Sequence, residues 1–244
     1  MTIERSTSVA LTVLSGFALS AVAADAAAHH GWKTTAALAA GISRGNSDTA
    51  NVALTLNSER KWDQNEVFAG AGMYYGETDD ETTTASANGF LQYNRLFTER
   101  LYGFGRVDAL HDDIADIAYR VTVSVGVGYY LIKSEKVQLS VEAGPGYVFE
   151  QYHNEDDDNY ATIRFGEKFA WQISKTARLW QSVDYAPRID EWSDYLLTAE
   201  LGIGAKITEA LELRVVATDS YRSEPALGKE ENDFKLTAGV GYTF

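Results

Sequence analysis

The chain has no cysteine, so neither a disulfide nor a thiolate nucleophile or metal ligand enters the reading. Proline is nearly absent, at three residues, which leaves long extended segments uninterrupted. Positive charge is scarce: 21 Lys and Arg stand against 35 Asp and Glu, and a net charge of −14 argues against a nucleic-acid partner. A long apolar run is also missing. After the N-terminal stretch no segment offers the ~18 apolar residues that a spanning helix needs. The mean hydropathy of −0.24 resembles that of a soluble protein. It does not exclude a barrel, whose lipid face hides inside an alternating pattern.

What is present is alternation, clearest at the end of the chain. Phe234, Leu236, Ala238, Val240, Tyr242 and Phe244 alternate with Lys235, Thr237, Gly239, Gly241 and Thr243. Period two means a strand with one apolar and one wet face. The chain stops on Phe244 with Tyr242 two residues earlier, a pair read here as the assembly signal of a closing barrel strand. A soluble β-sandwich is the alternative, with polar outer faces and no reason to end on an aromatic.

The N-terminus reads as an export signal over residues 1–23. Arg5 precedes an apolar run from Val9 to Val22; Ala21-Val22-Ala23 reads as an A-x-A cleavage site, and Ala24-Asp25-Ala26 is a second candidate. Residues 24–31 read as a flexible Ala/His segment and residues 32–244 as an outer-membrane β-barrel. The fold expected is all-β: an antiparallel up-and-down transmembrane barrel of twelve strands with periplasmic termini. Short turns alternate with longer polar loops, the asymmetry of periplasmic and extracellular connections. Thr78–Thr83 is read as one of those loops. Pro145 in the seventh strand predicts a bulge, and Glu167, which shares a face with Phe165 and Phe169, predicts a bulge or a register change. Aromatics near strand ends, among them Tyr74, Tyr129, Tyr130, Tyr152, Tyr160, Trp171 and Trp180, read as interfacial girdles. The facing of Tyr102 and Phe104 is open.

The inward set carries the charge. Arg106, Asp108, Arg120, Glu142, Arg164, Lys168, Glu200 and Arg214 are the lumen-lining candidates, joined by Lys33, Glu59, Glu150, Arg178, Asp184, Lys206, Glu212 and Lys235. A Lys or Arg on the lipid side would cost about 2–4 kcal/mol near the midplane, so both signs belong inside. They either pair across a narrow lumen and plug it or line a water-filled path; inward glycines leave room for water or merely permit curvature.

No catalytic residue, cofactor or metal ligand is assigned, and the chain is not read as an enzyme. His111, near Asp108, Asp112 and Asp113, has no serine that the sequence places beside it for lipase chemistry. His29-His30 belongs to the linker. The acidic segments around Asp79-Asp80, Asp112-Asp113, Glu155–Asp158 and Glu230-Glu231 form a solvated rim or a divalent-cation surface toward lipopolysaccharide. The expected partners are outer-membrane lipid and lipopolysaccharide, the barrel-assembly machinery and periplasmic chaperones.

Gly45-Asn46-Ser47-Asp48-Thr49, Tyr93-Asn94-Arg95-Leu96, Gly126-Val-Gly-Tyr129, Glu142-Ala-Gly144 with Tyr147 and Glu150, and the close from Asp233 to Phe244 occur in this order. Together they resemble the salt-induced outer-membrane proteins of the YdiY-like family, a domain of unknown function in Gram-negative bacteria. The resemblance spans nearly all of the mature chain. It implies a Gram-negative outer-membrane location and a link to salt or envelope stress, and it transfers no catalytic residue. The function expected is a narrow channel or envelope-stress protein of unknown solute, or else a non-conducting structural or surface-interaction barrel with a charge-plugged lumen.

Overall fold

Ile117–Lys133 shows why the chain folds as it does. Its Val123, Val125 and Val127 are 41, 54 and 57% exposed, while Ser124 between them is 1% exposed. A soluble strand would bury the valines. Here the pattern is turned inside out, as required when hydrocarbon lies outside the wall and polar groups lie within. The inversion recurs with Leu54 and Leu56, Leu91 and Tyr93, Leu201 and Ile203, and Leu213 and Val215, all of them exposed.

A computed structural model describes residues 31–43, 49–154 and 156–244. These hold twelve strands: β1 (Trp32–Ser43), β2 (Thr49–Trp62), β3 (Asn65–Thr78), β4 (Glu81–Leu96), β5 (Leu101–Asp112), β6 (Ile117–Lys133), β7 (Val137–Tyr152), β8 (Asp158–Gln172), β9 (Ala177–Pro187), β10 (Tyr195–Lys206), β11 (Leu211–Arg222) and β12 (Asn232–Thr243). Each pairs antiparallel with its chain neighbours, and β12 pairs with β1 to close the ring. At the seam Thr34 N donates to Phe244 O at 3.2 Å and Phe244 N donates back to Thr34 O at 2.9 Å. The expected export signal, most of the linker and the turn Arg44–Asp48 lie outside the described residues. Three of the connections on one rim, 153–157, 188–194 and 223–231, are the longest in the described barrel.

Several expectations need correction. Asp79 and Asp80 make a two-residue turn, with φ of 52° and 65°, and the strands run up to it on both sides. The segment from Thr78 to Thr83 is therefore no loop; two Asp residues that tolerate positive φ suffice for the hairpin. No bulge forms at Pro145. The β6–β7 ladder passes from Ser124↔Gly146 to Val127↔Ala143 in one register, and Pro145↔Ile163 keeps register on the other side. The missing N–H leaves a gap in the ladder, and the strands close on it because Gly126 and Gly144 face each other's backbone: a Cβ at Gly144 would overlap the Val125 carbonyl oxygen. Glu167 also needs no bulge. Strand β8 keeps register with both neighbours, Glu167 stays on the outer face opposite Val141 and Val183, and Gln181 Nε2 donates to it at 3.1 Å. A carboxylate on this face is tolerated at lower cost than a Lys or Arg, and it has a neighbour to bind.

The aromatics divide differently from the girdle reading. Tyr129 and Trp171 stand outside, but Tyr74, Tyr130, Tyr152, Tyr160 and Trp180 turn into the lumen, where charged neighbours receive them. Tyr102 and Phe104 also point inward and pack with Leu96 and Tyr130 as a small apolar cluster.

The seam yields a test. A Cβ at Gly239 would overlap the Leu38 carbonyl oxygen and press on the Ala39 Cα, both backbone atoms of β1. A Cβ at Gly241 would meet chiefly the Arg214 side chain, which can move aside. Gly239→Ala should lower the unfolding free energy by about 1–3 kcal/mol and Gly241→Ala by clearly less, read from urea titration of the heat-modifiable electrophoretic form.

Candidate functional site

The lumen is built by parity. On each strand every second residue points inward, and the inward positions hold most of the charged side chains of the described wall. They assemble in three groups.

Toward the short-turn end, Glu142 on β7 is the centre of a buried network. It accepts hydrogen bonds from Gln92 Nε2 at 2.7 Å, Arg164 Nη1 at 2.8 Å and Tyr102 OH at 2.9 Å. Gln92 Oε1 in turn accepts from Lys168 Nζ at 2.8 Å and Arg106 Nη1 at 3.1 Å. Arg106 grips Asp108 with two nitrogens, and Arg164 pairs also with Asp184. Asn94 Nδ2 and Tyr130 OH carry the network to Glu66 on β3, at 3.2 and 2.6 Å. The Lys168–Gln92 bond joins β8 to β4, strands four places apart in the ring, so this floor runs as a chord through the lumen. Burial of both signs is tolerable only because every charge meets its opposite or several donors.

On the other wall Glu212 accepts a hydrogen bond from Arg178 Nε at 3.0 Å and pairs by charge with Arg214, whose Nε is 3.3 Å away. Both guanidinium groups lie over the Trp180 ring, 4.5 and 4.9 Å from its centroid, and its Nε1 donates to Glu200 at 2.7 Å. Cation–π contacts of this kind gain strength away from bulk water.

At the long-loop end Glu150 is fully buried between two arginines. Arg120 Nε donates to it at 2.7 Å, and Arg222 Nη1 reaches it at 2.6 Å from β11, across the ring from β7. Segment 223–231 follows Arg222 over the mouth. Its Ala226 is buried against Ile117 and Tyr152, and Lys229 Nζ donates to Ile114 O at 2.7 Å. These anchors stand on the opposite side of the ring from the β11–β12 connection. The segment is a strap across the opening.

Between strap and floor lies a chamber of about 460 Å³. Of the sequence candidates, Arg106, Asp108, Arg120, Arg164, Glu200 and Arg214 line it, whereas Glu142 and Lys168 sit in the floor beneath. Sequence reasoning passed over Gln92, Asn94 and Glu66 and left the facing of Tyr102 open; all four complete the floor. Gln92 and Asn94 share the inward parity of β4 with Phe90, so a search for polar as well as charged inward residues finds them. Arg222 stood at a strand–loop border, and nothing in the sequence announces a bond across the lumen. In the acidic rim, Asp112 caps its own loop by accepting from Ile114 N and Ala115 N at 3.1 and 3.0 Å, and Asp116 accepts from Asn154.

A closed antiparallel ring with an apolar exterior and a charged interior is a transmembrane β-barrel of the outer-membrane class. The sequence matches the family DUF481, described as proteins of unknown function, over residues 36–244, and the chain belongs to that family. No curated protein matches it. Among solved structures, the fold is similar to that of the NanC porin, with a TM-score of 0.53 and 9% identity, covering 86% of this chain and 98% of that one. The translocator domain of the autotransporter NalP from Neisseria meningitidis follows at a TM-score of 0.49 and 14% identity, over 91% of this chain and 92% of that one. The KdgM porin gives 0.46 at 6% identity, over 87% and 99%. At such identities the likeness concerns fold alone.

Glu142→Ala removes the carboxylate that Arg164 and Lys168 share and should lower the unfolding free energy by about 3–5 kcal/mol. Glu59→Ala breaks the exposed Lys33–Glu59 pair and should change it by less than about 1 kcal/mol. Urea titration of the refolded barrel in micelles reads both.

Proposed function

We propose that the protein is an outer-membrane channel of narrow bore, throttled by the floor network and by the strap over its mouth. The observation that carries this reading is the chamber of about 460 Å³ with charges of both signs on its wall. A barrel that served only as a wall is stabilised as well or better by an apolar filling than by buried ion pairs. Ionisable residues at membrane depth are otherwise associated with solute or ion paths. Mixed signs suit small polar or zwitterionic solutes better than one ionic class. Likeness to the YdiY-like proteins supports service under salt or envelope stress. Export by residues 1–23, assembly guided by Tyr242 and Phe244 through the barrel-assembly machinery and its chaperones, and outer-membrane lipid and lipopolysaccharide as surroundings complete the proposal.

The floor favours a second reading, a non-conducting barrel, because the Lys168–Gln92–Glu142 chord crosses the lumen. Planar-bilayer recording of the purified barrel separates the two. The channel reading expects small discrete conductance steps, larger or more often open in Arg222→Ala, where the end of β11 that leads into the strap loses its bond to Glu150. Silence in the native protein, in Arg222→Ala and in Gln92→Ala alike would leave only the plugged form. A deletion strain that grows as well as its parent at high NaCl would remove the stress role.

A further inference from the structure

On the long-loop rim, apart from the lumen networks, His111 near the end of β5, Asp113 in the following turn and His153 just after β7 converge. One ligand atom from each lies within 4.8 Å of the other two. His111 Nε2 is 3.3 Å from Asp113 Oδ1, and His153 Nε2 is 3.4 Å from the same oxygen. All three side chains are roughly half exposed, at 45, 55 and 43%.

The orientation of His111 separates this group from an ordinary strand-end histidine. Its Nδ1 is 2.8 Å from the Ala118 carbonyl oxygen. A carbonyl only accepts, so Nδ1 carries a proton there, and Nε2 is the nitrogen turned toward Asp113. Imidazole ligands are characteristically held this way, with the second nitrogen donating to a carbonyl. The two nitrogen–oxygen spacings agree with a shared ion: two ligands about 2.0–2.1 Å from a tetrahedral ion stand about 3.3 Å apart. The observed separations exceed the usual ~2.9–3.0 Å of an N–H···O bond. The supporting loops are tied together, since His153 N donates to Asp116 O at 3.0 Å and Asn154 N donates to the Asp116 carboxylate at 3.3 Å.

We propose that His111, Asp113 and His153 bind a divalent transition-metal ion of the zinc class from the external medium. Two imidazoles and one carboxylate select against calcium and magnesium, which take oxygen donors. The exposed side leaves a position for water, as an exchangeable site requires. The bound ion fastens the end of β5 and Asp113 to His153 over the top of β6. That is the platform on which the strap lands, through Lys229 and the Ile114 carbonyl. The site does not depend on whether the lumen conducts.

The test is calorimetric titration of the refolded, untagged mature barrel with Zn²⁺ in micelles. His29→Ala and His30→Ala are introduced beforehand, so that the linker histidines contribute nothing. The expected result is one Zn²⁺ per barrel, unaffected by excess Ca²⁺. Affinity should fall by about 10- to 100-fold or more in His111→Ala and in His153→Ala, and stoichiometric binding should vanish in the double variant. Heat-modifiable mobility verifies that each variant is folded; His111→Gln and His153→Gln replace the alanine variants where those do not fold. Absence of Zn²⁺ binding by the starting protein, or equal binding by the folded double variant, overturns the proposal.

Discussion

Hydrocarbon offers no partner to a peptide N–H or C=O, and each one left bare there costs several kcal/mol. That penalty forces the ring shut. Strand β12 must find β1, and it does so where Gly239 lets the two backbones approach and where Phe244 and Thr34 exchange hydrogen bonds. Once the wall is closed, the side-chain period of two does the remaining sorting. One parity meets lipid and must be apolar. The other meets the interior, where any charge must be neutralised by another residue of the same wall. Closure and charge pairing are thus one constraint seen from two sides.

The interior solves the pairing problem by reaching across. Glu142 and Glu150 are both on β7, at different heights in the lumen, and each draws a donor from a distant strand: Gln92 of β4 at the floor, Arg222 of β11 at the mouth. Local pairs, such as Arg106 with Asp108, fix individual side chains. The cross-lumen bonds instead fix the shape of the cross-section, because they tie walls that the sheet itself connects only the long way round. A chamber survives between the two levels because those bonds are concentrated above and below it.

The barrel was legible because its rule is local. Alternation in β6 and β12 names the strand, its face and its environment from sequence alone, and inward charge at Arg106, Arg120 or Arg214 follows by counting in twos. What was not legible depends on partners far away in the chain. Parity already puts Tyr130 and Trp180 inside, yet an aromatic near a strand end reads as a girdle residue until Glu66 and Glu200 are known to be within reach. Pro145 looks like a bulge until Gly126 and Gly144 are seen to let the strands close over its missing donor. Glu167 looks misplaced until Gln181 of the next strand is set beside it. In each case the local rule was sound, and a residue of another strand altered its consequence.

The same distinction explains where specificity lies. Inside the wall, side-chain identity is tightly bound by neutrality and volume: changing one charge leaves another buried without its partner. On the long-loop rim water supplies that compensation, and side chains are free to serve other ends. There His111 and His153, separated by an entire strand and both turned toward Asp113, occupy an arrangement that neither closure of the ring nor neutrality of the lumen demands. Groups that the architecture does not require, yet which are oriented by a carbonyl and a shared loop contact, are the ones whose chemistry is directed outward from the fold.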